Sequence, residues 1–345
     1  MMIKTRGNKP WQAAQNFPSY GLSLVHAQFG NQDILGQAIG FLPMMRYEKW
    51  MKKSFFSFRA GLGIAWFNKP YNINENPRNL VIGSSLANIS IFSLEWHKVI
   101  TKHLAIKLGG SFTHCSGAHV AVPNIGANLP AITAGIAYSP VAFTEYGKQR
   151  KNFVESKPHG GIGLHFNTGF HEFSGTIRPV DGIRYLVFGT SMYYMRAFNN
   201  KVNVSLGFNG YYYQGYRDYI HSQELYGAES NLKNKPYSAI VYAGYEKNFR
   251  RVSFFVEAGL NIYDPVLRAL NEVWDLPKHG WLHQHTANKI GYRVYLFPQD
   301  TWYRRTIQPY LHIAVKTNGG TADFLEFAIG TVIKKRFDSI TLQCE

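Results

Sequence analysis

Residues 104–130 read LAIKLGGSFTHCSGAHVAVPNIGANLP, and the period of the first half of that stretch decides the architecture. Even positions give Leu104, Ile106, Leu108, Gly110, Phe112, His114 and Ser116, while odd positions give Ala105, Lys107, Gly109, Ser111, Thr113 and Cys115. Successive side chains of a β-strand point to opposite faces, so the even set forms one largely apolar face, and His114 and Ser116 project from it together. A candidate base and a candidate nucleophile thus share the end of an apolar strand face, an arrangement suited to a lipid substrate.

The same alternation recurs along the chain. Phe56, Phe58, Ala60, Leu62, Ile64 and Trp66 interleave with Ser57, Arg59, Gly61, Gly63 and Ala65. Val252, Phe254, Val256, Ala258, Leu260 and Ile262 interleave with Ser253, Phe255, Glu257, Gly259 and Asn261, and Ile307 to Val315 repeats the pattern. A soluble sandwich also alternates, with its apolar face inside. Length separates the two cases: these patterns run about nine to twelve residues, the span of a tilted transmembrane strand, against about five or six in soluble sheets. The expected fold is therefore all-β, a transmembrane antiparallel up-and-down barrel of about 14 strands.

Composition fits. Aromatic residues make up 15% of the chain, with 22 Tyr and 24 Phe, and many fall near strand ends, as an interfacial girdle requires. Mean hydropathy is only −0.22, and no apolar run approaches the roughly 18 residues of a membrane helix. Cys115 and Cys344 are too few for a disulfide framework and lack metal-ligand spacing.

Strands are expected to begin near Ser19, Gly36, Phe55, Leu80, His103, Leu129, Gly160, Ile183, Lys201, Tyr237, Arg251, Lys289, Thr306 and Ala322. This divides the chain into an N-terminal segment (1–18), a single barrel domain (19–337) and a C-terminal tail (338–345). Short periplasmic turns should alternate with long outer loops, which sets the end of the strand bearing His114 and Ser116 at the extracellular rim. Two connections break that parity: Glu145–His159 is long where a turn is expected, and Thr317–Thr321 is short where a loop is expected. The opening residues, MMIKTRGNKPWQAAQNF, show no apolar secretory core.

The segment from Phe112 to Pro130 resembles the signature of the outer-membrane lipid A 3-O-deacylases of the PagL type (acyloxyacyl hydrolase-like), in which His-x-Ser-Asn is followed by Pro-Asn-x-Gly and then an acidic or amide residue. Here it reads His114-Cys115-Ser116-Gly117, then Pro123-Asn124-Ile125-Gly126-Ala127-Asn128. FRAGLGIAWFNKPYNINENPRNLVIGSSLANISIF upstream and KTNGGTADFLEFAIG near the end are similar to the longer, Bacteroidetes-like versions of that family. The resemblance implies a bacterial outer-membrane barrel that hydrolyses the ester holding the 3-linked acyl chain of lipid A, without a cofactor. Its implied partners are lipopolysaccharide and membrane lipids.

Carried over, Ser116 is the expected nucleophile, His114 its general base, and Asn128 stands where some members have a Glu that orients the histidine. The family has Asn directly after the nucleophile as an oxyanion donor. This chain has Gly117, so the backbone N–H groups of Gly117 and Ala118 are the expected substitutes.

Other features read more plainly. His279, His283 and His285, with Asp275, lie in a long expected loop with nothing to fix ligand geometry, so no metal is assigned. The net charge of +16 and pI near 9.7 come without an aromatic-basic stripe or nucleic-acid motif, and the charge suits the phosphates of lipopolysaccharide. Lys148–Lys151 and Arg304-Arg305 fall on the expected periplasmic side. Arg59, Glu257, Lys316 and Glu326 point to the lumen as a paired network, and Pro265–Trp274 has helical spacing. The rival readings are a barrel of the same fold without catalysis, acting as a channel or structural protein, and a soluble lipid-binding barrel.

Overall fold

In the computed structural model the alternating stretches become antiparallel strands of 10 to 15 residues, and their polar faces, not their apolar faces, are buried. The structure describes residues 1–143, 159–172, 182–198, 201–227, 231–273, 280–299 and 305–334. These divide into two compact units, one comprising residues 1–154 with 171–184, the other residues 155–170 with 185–345.

The first unit is a seven-stranded sheet in sequence order. It comprises β1 (Met2–Lys4), β2 (Ser19–Gln28), β3 (Gln37–Met51), β4 (Ser54–Phe67), β5 (Leu86–Val99), β6 (Leu104–Ser116) and β7 (Ala127–Tyr138), with a short helix α1 (Pro10–Ala14) after β1. Part of the 1–18 segment joins the sheet, since β1 pairs with β2 from Met2↔Gly21 to Lys4↔Ser19. One face exposes Leu24, Ile64, Trp66, Leu94, Leu108 and Ile132, while Ser57, Ser93, Glu95 and His97 on the other are buried. Glu95 is ion-paired with Arg59 at 3.0 Å and Lys107 at 2.9 Å. Elsewhere on the buried side, Ala38, Leu42, Met44, Phe67, Ile82, Ile89 and Cys115 form an apolar cluster.

The second unit is a closed eight-stranded barrel. Its strands are β8 (His159–Glu172), β9 (Arg184–Ala197), β10 (Val202–Tyr213), β11 (Tyr237–Phe249), β12 (Val252–Tyr263), β13 (Thr286–Tyr295), β14 (Ile307–Asn318) and β15 (Thr321–Lys334). Closure is made by β15 pairing with β8, from Leu325↔Phe170 to Lys334↔Gly161. Eight strands leave an interior just wide enough for side chains, and here they fill it. Arg293 bonds Glu246 at 2.8 Å and Glu257 at 3.0 Å, Lys289 bonds Glu326 at 2.9 Å, and Lys316 bonds Asp323 at 2.6 Å. Tyr211 donates to Glu326 and Tyr295 to Glu246. Buried charges persist only when paired and hydrogen-bonded, and each carboxylate here has a cation or phenol beside it.

Among the described residues, three helices join these strands: α2 (Gln214–Gln223), α3 (Pro265–Val273) and α4 (Gly280–His285). The expected helix at Pro265 is present, and Asp264 caps it by accepting the Leu267 N–H at 3.0 Å. Burial pushes the Asp264 carboxyl up to about 7. The other two helices fall in stretches read from the sequence as loops.

The all-β reading and most strand positions hold, but the strands expected to form one barrel of about fourteen over residues 19–337 are shared between a sheet and a separate closed barrel. The physical reason is that closure is a long-range pairing with no local signature. Alternation and tight turns are the same whether β8 continues the first array or starts a second. The break falls after β7, in the connection whose length contradicted the expected parity; residues 144–158 within it, and so Lys148–Lys151, lie outside the described residues, as do Arg304 and the 338–345 tail. The expected lumen network also separates. Arg59 pairs within the first unit, while Glu257, Lys316 and Glu326 pair within the barrel.

Candidate active site

β6 and β7 pair antiparallel with His114 directly opposite Asn128 and Phe112 opposite Pro130. Directly opposed residues share a face, so register alone brings the two site side chains together. His114 Nδ1 and Asn128 Oδ1 are 2.8 Å apart. An amide oxygen only accepts, so Nδ1 is the donor, and in the tautomer this bond selects Nε2 is the acceptor nitrogen.

Ser116 ends β6 on the same face and is 9% exposed, covered by the loop from Gly117 to Gly126. That loop turns back through a left-handed pair, Ala118 and His119 at φ 51° and 58°, and closes at Gly126 with φ 77°. A Cβ at residue 126 would sit 2.9 Å from the Cys115 carbonyl oxygen and 3.5 Å from His114 Cε1, so glycine permits the close return of the chain.

Inside the loop the organising residue is Asn124, which is 6% exposed. Its Nδ2 donates to Ser116 Oγ at 3.1 Å, and its Oδ1 accepts the Gly117 N–H at 2.6 Å and faces the Ser116 hydroxyl at 3.3 Å. Ala118 N–H also donates to Ser116 Oγ, at 3.3 Å. Among the described residues, then, Ser116 takes its hydrogen bonds from the loop and His114 from Asn128, and no hydrogen bond joins the two. The Gly117 N–H, expected to be a free oxyanion donor, is instead committed to the Asn124 side chain. Sequence reasoning quoted Asn124 within Pro-Asn-x-Gly but assigned it no role, because nothing in a linear motif shows an amide folding back onto a residue eight positions earlier.

Residues 1–137 match the family model described as "Lipid A 3-O-deacylase (PagL)", and residues 161–275 match "Acyloxyacyl hydrolase, C-terminal domain". The chain belongs to the PagL family. It is accordingly a lipid A deacylase of the bacterial outer membrane, a hydrolase whose exposed apolar strand faces meet lipid. No curated protein matches the sequence.

Among solved structures it is similar to the Pseudomonas putida toluene transporter TodX, at 9% identity and a TM-score of 0.18, covering 92% of this chain and 86% of that one. It is also similar to LpxR from Salmonella typhimurium, at 10% identity and a TM-score of 0.17, covering 88% and 89%. TM-scores this low carry no argument, and the fold stands on the strand pairing described above.

Among the described residues of this PagL-family chain, two other groups have the residue types of active centres. Ser57 Oγ and His97 Nε2 are 2.9 Å apart, but both residues are buried, and Glu95 faces the same ring nitrogen at 3.5 Å instead of orienting Nδ1. In the barrel, His165, His312 and Glu326 bring ligand atoms within 4.8 Å of one another. Lys289 already occupies the Glu326 oxygen that faces His312 Nε2 at 2.9 Å, so that carboxylate's charge is met by pairs in place. Of the histidines read together near α4, His285 is held by the Trp281 carbonyl at 2.9 Å, burial lowers the pKa of His283, and Asp275 and His279 lie outside the described residues.

Proposed function

We propose that this enzyme removes the 3-O-linked acyl chain of lipid A by a serine mechanism at the end of β6. The observation that carries the reading is the His114–Asn128 hydrogen bond, because it ties Nδ1 to the amide and leaves Nε2 as the nitrogen available on the face that holds Ser116. Ser116 Oγ attacks the ester carbonyl carbon as its proton passes to His114 Nε2. The oxyanion is met by the two donors already converging on Oγ, Asn124 Nδ2 and Ala118 N–H. Gly117 contributes indirectly, since its N–H orients the Asn124 amide. Collapse expels the sugar hydroxyl with the proton from His114, and water then releases the fatty acid by the same steps reversed in role.

Asn128 holds the tautomer but cannot neutralise the imidazolium that forms, as a carboxylate would. The acyl chain has a place beside these groups. Phe58, Phe92, Leu94, Phe112, Pro130 and Ile132 line an open groove of about 600 Å³ on the outer face, and Phe112 and Pro130 are the next outward pair along from His114 and Asn128. Exposed Lys69 and Arg78, on the connection that packs against the 117–126 loop, supply cations for the substrate's phosphates.

The test is mass spectrometry of lipid A after incubation with the detergent-purified protein. Loss of one 3-linked acyl chain with the wild type, and none with Ser116→Ala, supports the reading. Equal deacylation by both would refute the serine mechanism, and loss of an acyl chain from another position would refute the regiochemistry.

A further inference from the structure

The loop over Ser116 is gripped from two directions. On one side, Ile125 and Gly126 donate their N–H groups to the carbonyls of Leu80 and Val81, at 3.2 and 3.0 Å. On the other stand His171 and Glu172, the last two residues of β8, which belong to the same compact unit as the loop. The Glu172 N–H donates to the His119 carbonyl at 3.3 Å. Its Oε2 accepts the Val122 N–H at 2.9 Å and its Oε1 accepts the Gly182 N–H at 2.6 Å. The His171 ring lies against that of His119, with centroids 5.5 Å apart and planes 15° apart.

These contacts bracket the stretch 118–122, where Ala118 and His119 adopt the left-handed conformation that side-chain-bearing residues disfavour. Such a conformation persists only where surrounding contacts over-determine it. What it achieves is local: it aims the Ala118 N–H at Ser116 Oγ and returns the chain so that Asn124 reaches the same oxygen. Glu172 is 2% exposed, so water does not compete for its carboxylate.

We propose that Glu172 is a positioning residue for deacylation, a clamp from outside the segment matched by the deacylase family model that holds the nucleophile loop in its reactive shape. This rests on the reading of Ser116 as nucleophile. Glu172 touches neither substrate nor reacting atoms; it acts through the His119 and Val122 backbone. The residues it aligns are oxyanion donors, which act on the transition state, so its loss lowers kcat and leaves KM nearly unchanged.

The experiment is steady-state deacylation of lipid A vesicles by full-length Ser116→Ala, Glu172→Ala and Glu172→Gln, each checked for barrel folding by its sheet circular dichroism. Misplacing a donor costs about a hundredfold in rate, so Glu172→Ala is expected to lose about that in kcat with KM within about twofold. Glu172→Gln keeps one acceptor oxygen and the side-chain volume, and recovers about tenfold of the loss. If the alanine variant does not fold, the glutamine variant carries the test through its own fall of about tenfold. Wild-type kcat in a folded variant, or a rise in KM alone, overturns the clamp. Activity in Ser116→Ala would instead overturn the nucleophile assignment, whatever Glu172 does.

Discussion

Ser57 and His97 share a 2.9 Å hydrogen bond between β4 and β5, while Ser116 and His114 share only a strand face. In the first pair both side chains are buried, the histidine is stacked on Phe55 at 4.2 Å, and Glu95 is already ion-paired with Arg59 and Lys107. In the second, each member is held by its own asparagine, His114 by Asn128 and Ser116 by Asn124, at a strand end beside an open apolar groove. On the proposed mechanism, then, a hydrogen bond between serine and histidine does not mark the catalytic pair in this molecule. The buried pair gives the Ser57 hydroxyl and His97 Nε2 a partner on the inner face of the sheet, where leaving either unpaired costs about 1–3 kcal/mol, although His97 Nδ1 has no hydrogen-bond partner. The pair at the end of β6 is kept separate and oriented, and on the proposed mechanism its donors stand where charge develops.

That contrast breaks most visibly at Asn124. Asn124→Ala removes the side-chain donor to Ser116 and frees the Gly117 N–H, and we expect kcat to fall about a hundred- to a thousandfold. His97→Ala, aimed at the tighter pair, should lower the midpoint of thermal unfolding and leave kcat/KM within about twofold. If the two variants exchange these outcomes, the assignment of sites is reversed. A smaller effect sharpens the account. Asn128→Glu places a carboxylate on His114 Nδ1, and a charge-assisted bond is about twice as strong as a neutral one, so kcat should rise about tenfold. An unchanged or lower rate would mean that Asn128 does more than fix the tautomer.

Much of this was legible in the sequence. The period-two pattern located the strands, because polar-in and apolar-out is a local property of each one. His114 and Ser116 were placed on one face by counting alone, and the pairing of His114 with Asn128 follows from the register of β6 against β7. Barrel closure was not legible, since the pairing of β15 with β8 depends on residues far apart in sequence. A hint lay in the overlong Glu145–His159 connection, one of the two that broke the parity of a single barrel. Asn124 was visible as a motif letter without a role. Glu172 carried no signal at all, because its function lies in backbone contacts to a loop fifty residues earlier.

The most direct measurement is covalent labelling of the intact enzyme with a long-chain alkyl fluorophosphonate in detergent, followed by peptide mass spectrometry. The account predicts a single adduct on the peptide containing Ser116, suppressed by prior incubation with lipopolysaccharide and absent in His114→Ala. An adduct on Ser57, or turnover of lipid A by a protein whose Ser116 cannot be labelled, would contradict it.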